Sequence, residues 1–218
     1  MKVGSICVDV YESSLWTSIK GGEQVQPDSD CSDSNPDCAD VCDRTGNDCK
    51  NVFARSVKGV TPVGNVTWFQ AQQACANAGK RLLSNGEWQL AAAGTPKSSP
   101  DDQETTCNTS TGSIASTGSR SSCVSNGGVY DMVGNRFEWV AEWVPASTLQ
   151  ACTTLQGGSL FGIGDHNCFG GASETSGPGG LLRGGYYQLG DSGSGVFTVI
   201  AHDPPSHRSE PIGFRCAR

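Results

Sequence analysis

Eleven cysteines in 218 residues constrain this chain more than any other feature. They are spread from Cys7 to Cys216 instead of being gathered in one cluster, which is the pattern of cross-links and not of a single metal centre. Pairing on that scale belongs to an oxidising compartment such as the outside of a cell or virion, with the disulfide-tolerant cytosol of a thermophile as the alternative. A chain stapled at many points can dispense with long helices, and 29 glycines with only 17% charged residues suit short strands joined by long loops. At this length a single domain over residues 1–218 is expected, with a cysteine-rich loop inserted at about 21–51.

The net charge of -7 argues against a nucleic-acid partner, since phosphate binding needs Lys and Arg massed on one face. Much of that acidity is local, from Asp28, Asp30, Asp33, Asp37, Asp40, Asp43 and Asp48. No apolar window approaches the roughly 20 residues needed to span a bilayer, so a soluble chain is expected. Met1-Lys2-Val3-Gly4-Ser5 leads into a strand, not into a charged segment followed by an apolar run, and no export signal is recognisable.

Residues 5–11 alternate and are β-rich, which predicts an opening strand that ends near Glu12. Within the following loop, Cys31, Cys38, Cys42 and Cys49 lack the close Cys-x-x-Cys knuckles of a zinc site, so two disulfides of open connectivity are expected. Thr67-Trp68-Phe69-Gln70 has the form of a capping box and predicts a helix over 67–78, closed by Gly79. Ser84-Asn85-Gly86-Glu87 repeats the signal and opens a second short helix that ends before Gly94-Thr95-Pro96. Residues 97–127 are rich in Ser, Thr, Asp and Gly and read as a loop stapled by Cys107 and Cys123. The sequons at Asn65 and Asn108 are of a kind common by chance. A core strand is expected over 137–143, then a Gly-rich loop with Cys152 and Cys168 as a further pair, then strands over 181–187, 196–201 and 212–217. That pairing leaves Cys7 over, as a buried small apolar residue.

Four segments in order carry a family resemblance: Trp68 through Ala78-Gly79-Lys80-Arg81-Leu82; Glu87-Trp88; Tyr130-Asp131-Met132-Val133-Gly134-Asn135-Arg136-Phe137-Glu138-Trp139; and Leu182-Arg183-Gly184-Gly185 with Ile212-Gly213-Phe214-Arg215-Cys216. Together they resemble the formylglycine-generating-enzyme (sulfatase-modifying factor) family over residues 5–20 and 60–218. The resemblance implies an α+β, C-type-lectin-like fold with two short helices, a small twisted antiparallel sheet and much irregular loop. Its first and last strands pair, and a disulfide joins Cys75 of the first helix to Cys216 of the last strand. It also implies a calcium site at the Gly134-Asn135 turn, with the Glu138 carboxylate and the carbonyls of Val133, Gly134 and Arg136 as ligands. The alternative is that Glu138 caps the turn or pairs with Arg183.

The enzyme of this family oxidises a substrate cysteine through copper held by two of its own cysteines, shortly after the Arg-Gly-Gly motif. Residues 186–215 contain no cysteine here, so the Cu(I) ligands are missing and neither copper nor that activity is expected. One branch of the family resembles this chain more closely: the variable proteins of diversity-generating retroelements, which keep the scaffold and diversify the segment between Arg-Gly-Gly and Ile-Gly-Phe-Arg-Cys. The resemblance implies a ligand-binding segment at about 186–211, facing a protein or cell-surface ligand. Its residues would be Tyr186, Tyr187, Gln188, Leu189, Asp191 and Ser192, then Ile200, His202 and Asp203, and finally His207, Arg208, Ser209 and Glu210. Tyrosines supply rigid contact area at low entropic cost, while His, Asp and Ser supply adaptable hydrogen bonds. A second reading, an enzyme of the same superfamily with a different active site, requires a cleft lined by a strongly perturbed ionisable pair.

Overall fold

The computed structural model describes residues 1–27, 42, 44–97, 101–145, 165–168, 171–172, 177–190 and 193–218. Cys31, Cys38, Cys152, Asp191 and Ser192 lie outside the described residues. Both capping boxes form. Thr67 accepts the Gln70 amide and Gln70 returns a bond to the Thr67 amide, starting α1 (Trp68–Asn77); Ser84 and Glu87 do the same for α2 (Asn85–Ala92). Each box satisfies orphan donors of the first turn, which lets helices of ten and eight residues hold their ends. Ala71, Ala74 and Cys75 bury one face of α1, and Trp88, Ala91 and Ala92 bury one face of α2.

The central sheet has five strands in the order β11-β7-β9-β10-β8, with β7 (Phe137–Val144), β8 (Asn167–Cys168), β9 (Gly179–Arg183), β10 (Val199–Ile200) and β11 (Ile212–Phe214). Strands β7/β9 and β9/β10 run antiparallel, as expected, while β11/β7 and β10/β8 are parallel. The helices pack against this sheet through β7. A second sheet of β3 (Ser13–Trp16), β4 (Gln24–Val25) and β5 (Phe53–Ser56) lies outside the sequence expectation, which ended the first strand at Glu12. Glu12 reads as a polar stop but is itself buried, so the chain continues through the interior.

The opening strand is shorter than expected. Residues 2–3 and 6–7 fold back on each other as β1 (Lys2–Val3) and β2 (Ile6–Cys7) around the Gly4 turn. Antiparallel closure of the chain ends survives as the Val8–Ala217 bridge, flanked by Cys7–Arg218 and Asp9–Cys216 backbone bonds. Cys7 is exposed, not buried as expected, because this hairpin lies on the surface. The final strand is broken: β11 pairs with β7, and β12 (Cys216–Ala217) crosses to β6 (Arg81–Leu82). The break falls at Arg215, whose side chain enters the core.

Two expected cross-links are present, Cys75–Cys216 and Cys107–Cys123, and in the cysteine-rich loop, whose connectivity the sequence leaves open, Cys42 is bonded to Cys49. Cys168 is disulfide-bonded. Asn108 is buried, with its amide donating to Ser113 O and Asn135 Oδ1, so that sequon serves loop packing.

A charge cluster is buried within the fold. Arg215, 0% exposed in its side chain, donates to both oxygens of Glu138, with Nη2 at 2.5 Å from Oε1. Its remaining N–H groups reach the carbonyls of Asp9, Val10, Tyr130 and Asp131. Trp88 Nε1 donates to Glu138 Oε2 at 2.7 Å. Asp131 and Glu12 complete the cluster. Burial pushes Asp131 up to about 6 against the pull of the Gly118 amide and the Arg215 charge. Burial, then the charges of Asp131 and Glu138, drives Glu12 well above the usual carboxylate range.

Two outcomes follow from this packing. Cys75→Ala with Cys216→Ala opens a loop of sequence separation 141, and urea unfolding should show a loss of about 3–5 kcal/mol; a loss under about 1 kcal/mol would mean the helix and last strand are held without the bridge. A carboxyl with a raised folded pKa holds its proton more tightly in the native state, so its contribution is complete below about pH 4 and lost as pH rises through about 6. Asp131 sits at φ +58°, which Asn tolerates, and Asn retains an oxygen for the Gly118 amide. From pH 4 to 7, wild type should lose about 2–3 kcal/mol relative to Asp131→Asn; parallel pH profiles would show that Asp131 does not hold the proton.

Candidate ligand-binding surface

Strand β9 delivers the chain to this surface and stops there. Gly184 and Gly185 follow it at φ +87° and +89°, and a Cβ on Gly185 would fall 2.3 Å from Ser194 Oγ. Only glycine fits that pair of left-handed residues without strain, so the expected strand over 181–187 ends at Arg183 and turns outward. Gly184 O accepts the Gly134 amide, which joins the Arg-Gly-Gly motif to the Gly-Asn-Arg turn. Asn135, at φ +57°, uses both ends of its amide: Oδ1 accepts from Asn108 and Ala115, and Nδ2 donates to Glu12 and Ala115 O.

The main chain of the segment is held by residues outside it. Tyr187 N donates to Asn135 O, Gly112 N to Tyr187 O, and Gly190 N to Thr109 O. Further along, Gly180 N donates to Asp203 O, Trp68 N to Pro205 O, and Asn65 N to Ser209 O. These bonds need no particular side chain from residues 186–190 or 202–210.

The side chains fall into distinct groups. Tyr186 lies tilted over Phe137 with centroids 5.3 Å apart, and Leu189 packs on the same core edge. Tyr187 meets Tyr186 edge to face at 5.5 Å, and its hydroxyl donates to the Glu210 carboxylate. Burial and that carboxylate push the Tyr187 phenol up to about 12, so it remains a donor at neutral pH. Gln188 is exposed, and His207, Arg208 and Ser209 are half-exposed. His202 is half-exposed, with Nδ1 3.2 Å from Cys168 Sγ and Nε2 3.7 Å from the Asp203 carboxylate. Ile200 is a correction: it is 5% exposed in β10 and packs in the core, because the sheet continues through it.

The Glu138 expectation also changes. The Arg215 guanidinium and the Trp88 indole engage both carboxylate oxygens. Calcium takes six to eight oxygen ligands and would have to compete with a buried cation for the one side-chain ligand of the proposed set. Val133, Gly134 and Arg136 would be left to contribute carbonyls alone. The residues do not fit the ion at Glu138, and no role is assigned to it. Among the described residues no group of three His, Cys, Asp or Glu side chains is placed to hold a metal. Arg183, the alternative partner, stands opposite Glu138 in the β7/β9 register but stacks over the Trp88 ring at 4.6 Å.

One group at the surface was missed by sequence reasoning, which considered only the carbonyl of Arg136. Its guanidinium donates to Pro62 O, to Glu210 O and to Glu210 Oε1. The signal lay in the strand pairing: with Ile212 in register with Phe137 in parallel strands, Arg136, just before β7, and Glu210, two residues before β11, come together.

Several solved structures share this fold. The Major Tropism Determinant M1 variant superposes with a TM-score of 0.55 at 19% identity, over 99% of this chain and 50% of that one. The U1 variant gives 0.54 at 17% and the P3c variant 0.51 at 18%, with the same coverage. The chain thus spans about half the length of these three structures, and at these identities the likeness is one of fold. No curated protein matches it in sequence. The profile of the sulfatase-modifying factor enzyme 1-like domain matches residues 11–218, and this chain therefore belongs to that formylglycine-generating-enzyme family, with its C-type-lectin-like fold.

Proposed function

We propose that this protein is a non-catalytic, receptor-like ligand-binding protein of the retroelement-diversified type, and that residues 186–190 and 202–210 form its contact surface. The observation that carries the reading is the separation of frame from display. Main-chain bonds to residues 65, 68, 109, 112, 135 and 180 hold the segment, while Gln188, His202, Asp203 and His207 project from it without a core role. Such a frame admits many side-chain sets, as antibody loops do. Solved structures of the same fold bear the name of a tropism determinant in several variants, which agrees with a recognition role.

The chemistry of the interior agrees with this reading. Glu12 and Asp131, the carboxyls raised by burial, are themselves buried at 1% and 3% exposure. The segment 186–215 lacks the cysteine pair that copper chemistry would use. A protein or cell-surface ligand suits the surface better than a small metabolite, since its aromatic and polar side chains lie on a turn-rich face. No helix among the described residues is long and apolar enough to cross a membrane.

Sequencing the 3′ end of the gene across isolates, with its flanking DNA, tests this directly. Changes should concentrate at codons 186–210, opposite adenines in a near-copy of codons 181–218, and should spare codons such as Ile200 that serve the core. An invariant segment with no near-copy would contradict diversification and leave a fixed ligand as the alternative.

A further inference from the structure

Arg136 is an unusual cation for a binding face. It is 5% exposed, and its guanidinium lies in a slot that only glycines leave open: a Cβ on Gly64 would come within 2.3 Å of Nη1, and one on Gly213 within 3.1 Å of Cδ. Nε is fixed by Pro62 O at 3.2 Å. The scaffold therefore sets the position of the charge. Its salt-bridge partner, Glu210 at 3.1 Å, comes from the contact surface, and the Glu210 side chain is 42% exposed. The Tyr187 hydroxyl donates to the other Glu210 oxygen. The nearby acid Glu12 accepts the Arg136 backbone amide, and its carboxyl is shared with Asn135 inside the core.

The pair is thus asymmetric, with a buried cation supplied by the family motif and a removable anion supplied by a surface position. A buried guanidinium deprived of its counter-charge favours another oxyanion, because a charge-assisted hydrogen bond from its N–H groups to a carboxylate is stronger than one to a neutral acceptor. We propose that Arg136 is a built-in carboxylate-binding group of this surface and that Glu210 occupies it as an internal ligand. Replacement of Glu210 by a short neutral residue then opens a site, beneath Tyr187, for a carboxylate-bearing ligand. With Glu210 present, the same spot is closed to anions and recognition rests on the neighbouring aromatic and imidazole groups. The inference builds on the reading of residues 186–210 as the contact surface, and position 210 becomes its charge selector.

The test is an acetate titration of the full chain at constant ionic strength, with chloride as the balancing salt and inorganic phosphate as a second anion. Unfolding midpoint and the Arg136 Nε–H resonance are both followed. Glu210→Ala should bind acetate at least about tenfold more tightly than wild type and raise its midpoint accordingly. The response should vanish when Arg136→Gln is added. A stronger response to phosphate than to acetate would overturn the carboxylate assignment, and equal titrations of Glu210→Ala and wild type would overturn the site. Should Glu210→Ala fail to fold, Glu210→Ser, equally short and neutral, is titrated with the same two outcomes. An absent response alongside variable codons overturns the role of Arg136 alone; a clear response with invariant codons upholds that role and overturns diversification.

Discussion

The structure turns on one buried ion pair. Glu138 and Arg215 share the centre of the domain, with Trp88 closing one side of the carboxylate and four backbone carbonyls taking the remaining guanidinium donors. Through these bonds β7, α2, the last strand, the 130–131 turn and the N-terminal residues 9–10 are tied to a single point. Burying such a pair gains little over an apolar core, but removing either partner alone strands a charge and costs about 3–5 kcal/mol. The break between β11 and β12 follows from the same bond: Arg215 must face inward, so the strand leaves β7 and continues on β6.

The same two strands carry a second Arg–Glu pair with the roles exchanged. Before β7 stands Arg136, and before β11 stands Glu210. The inner pair is sealed and the outer one reaches the surface, with Glu210 far more exposed than its partner. Parallel pairing of β7 and β11 makes both meetings possible. The Gly-Asn-Arg turn and the Arg-Gly-Gly turn are joined by the Gly134–Gly184 bond, so the family motifs are mostly frame, and under the proposed function the residues between them are what the frame presents.

Much of this was legible in the sequence where local chemistry dictates the outcome. Capping boxes at Thr67 and Ser84 placed both helices, and the family motifs placed Cys75 opposite Cys216. Long-range decisions were less visible. Glu138 could be recognised as important, but whether it meets a metal, Arg183 or Arg215 depends on which strands lie side by side. Cys7 looked like a core residue within an alternating run until the Gly4 turn folded that run back on the surface. The family resemblance put Ile200 among the surface positions, yet the sheet runs through it. Sheet β4-β3-β5 was hidden by its serines and by Glu12, a carboxyl that pattern reading takes for a turn and the fold takes for the core.

The central claim is that the frame stands without the particular side chains it displays, and its most direct measurement is the stability of one multiple variant. Tyr187, Gln188, His202, Asp203 and His207 would be changed together to Ser, and urea unfolding compared with wild type and with the single core substitution Leu182→Ala. Gln188 is exposed and the other four are half-exposed; substitutions away from the core each shift stability by about 0.5 kcal/mol, rather more for Tyr187 with its Glu210 bond, whereas a buried Leu→Ala change costs about 2–5 kcal/mol. The account predicts that the five-fold surface variant folds and loses less than Leu182→Ala. A surface variant that fails to fold, or loses more than the core variant, would show that these side chains build the domain and do not merely decorate it.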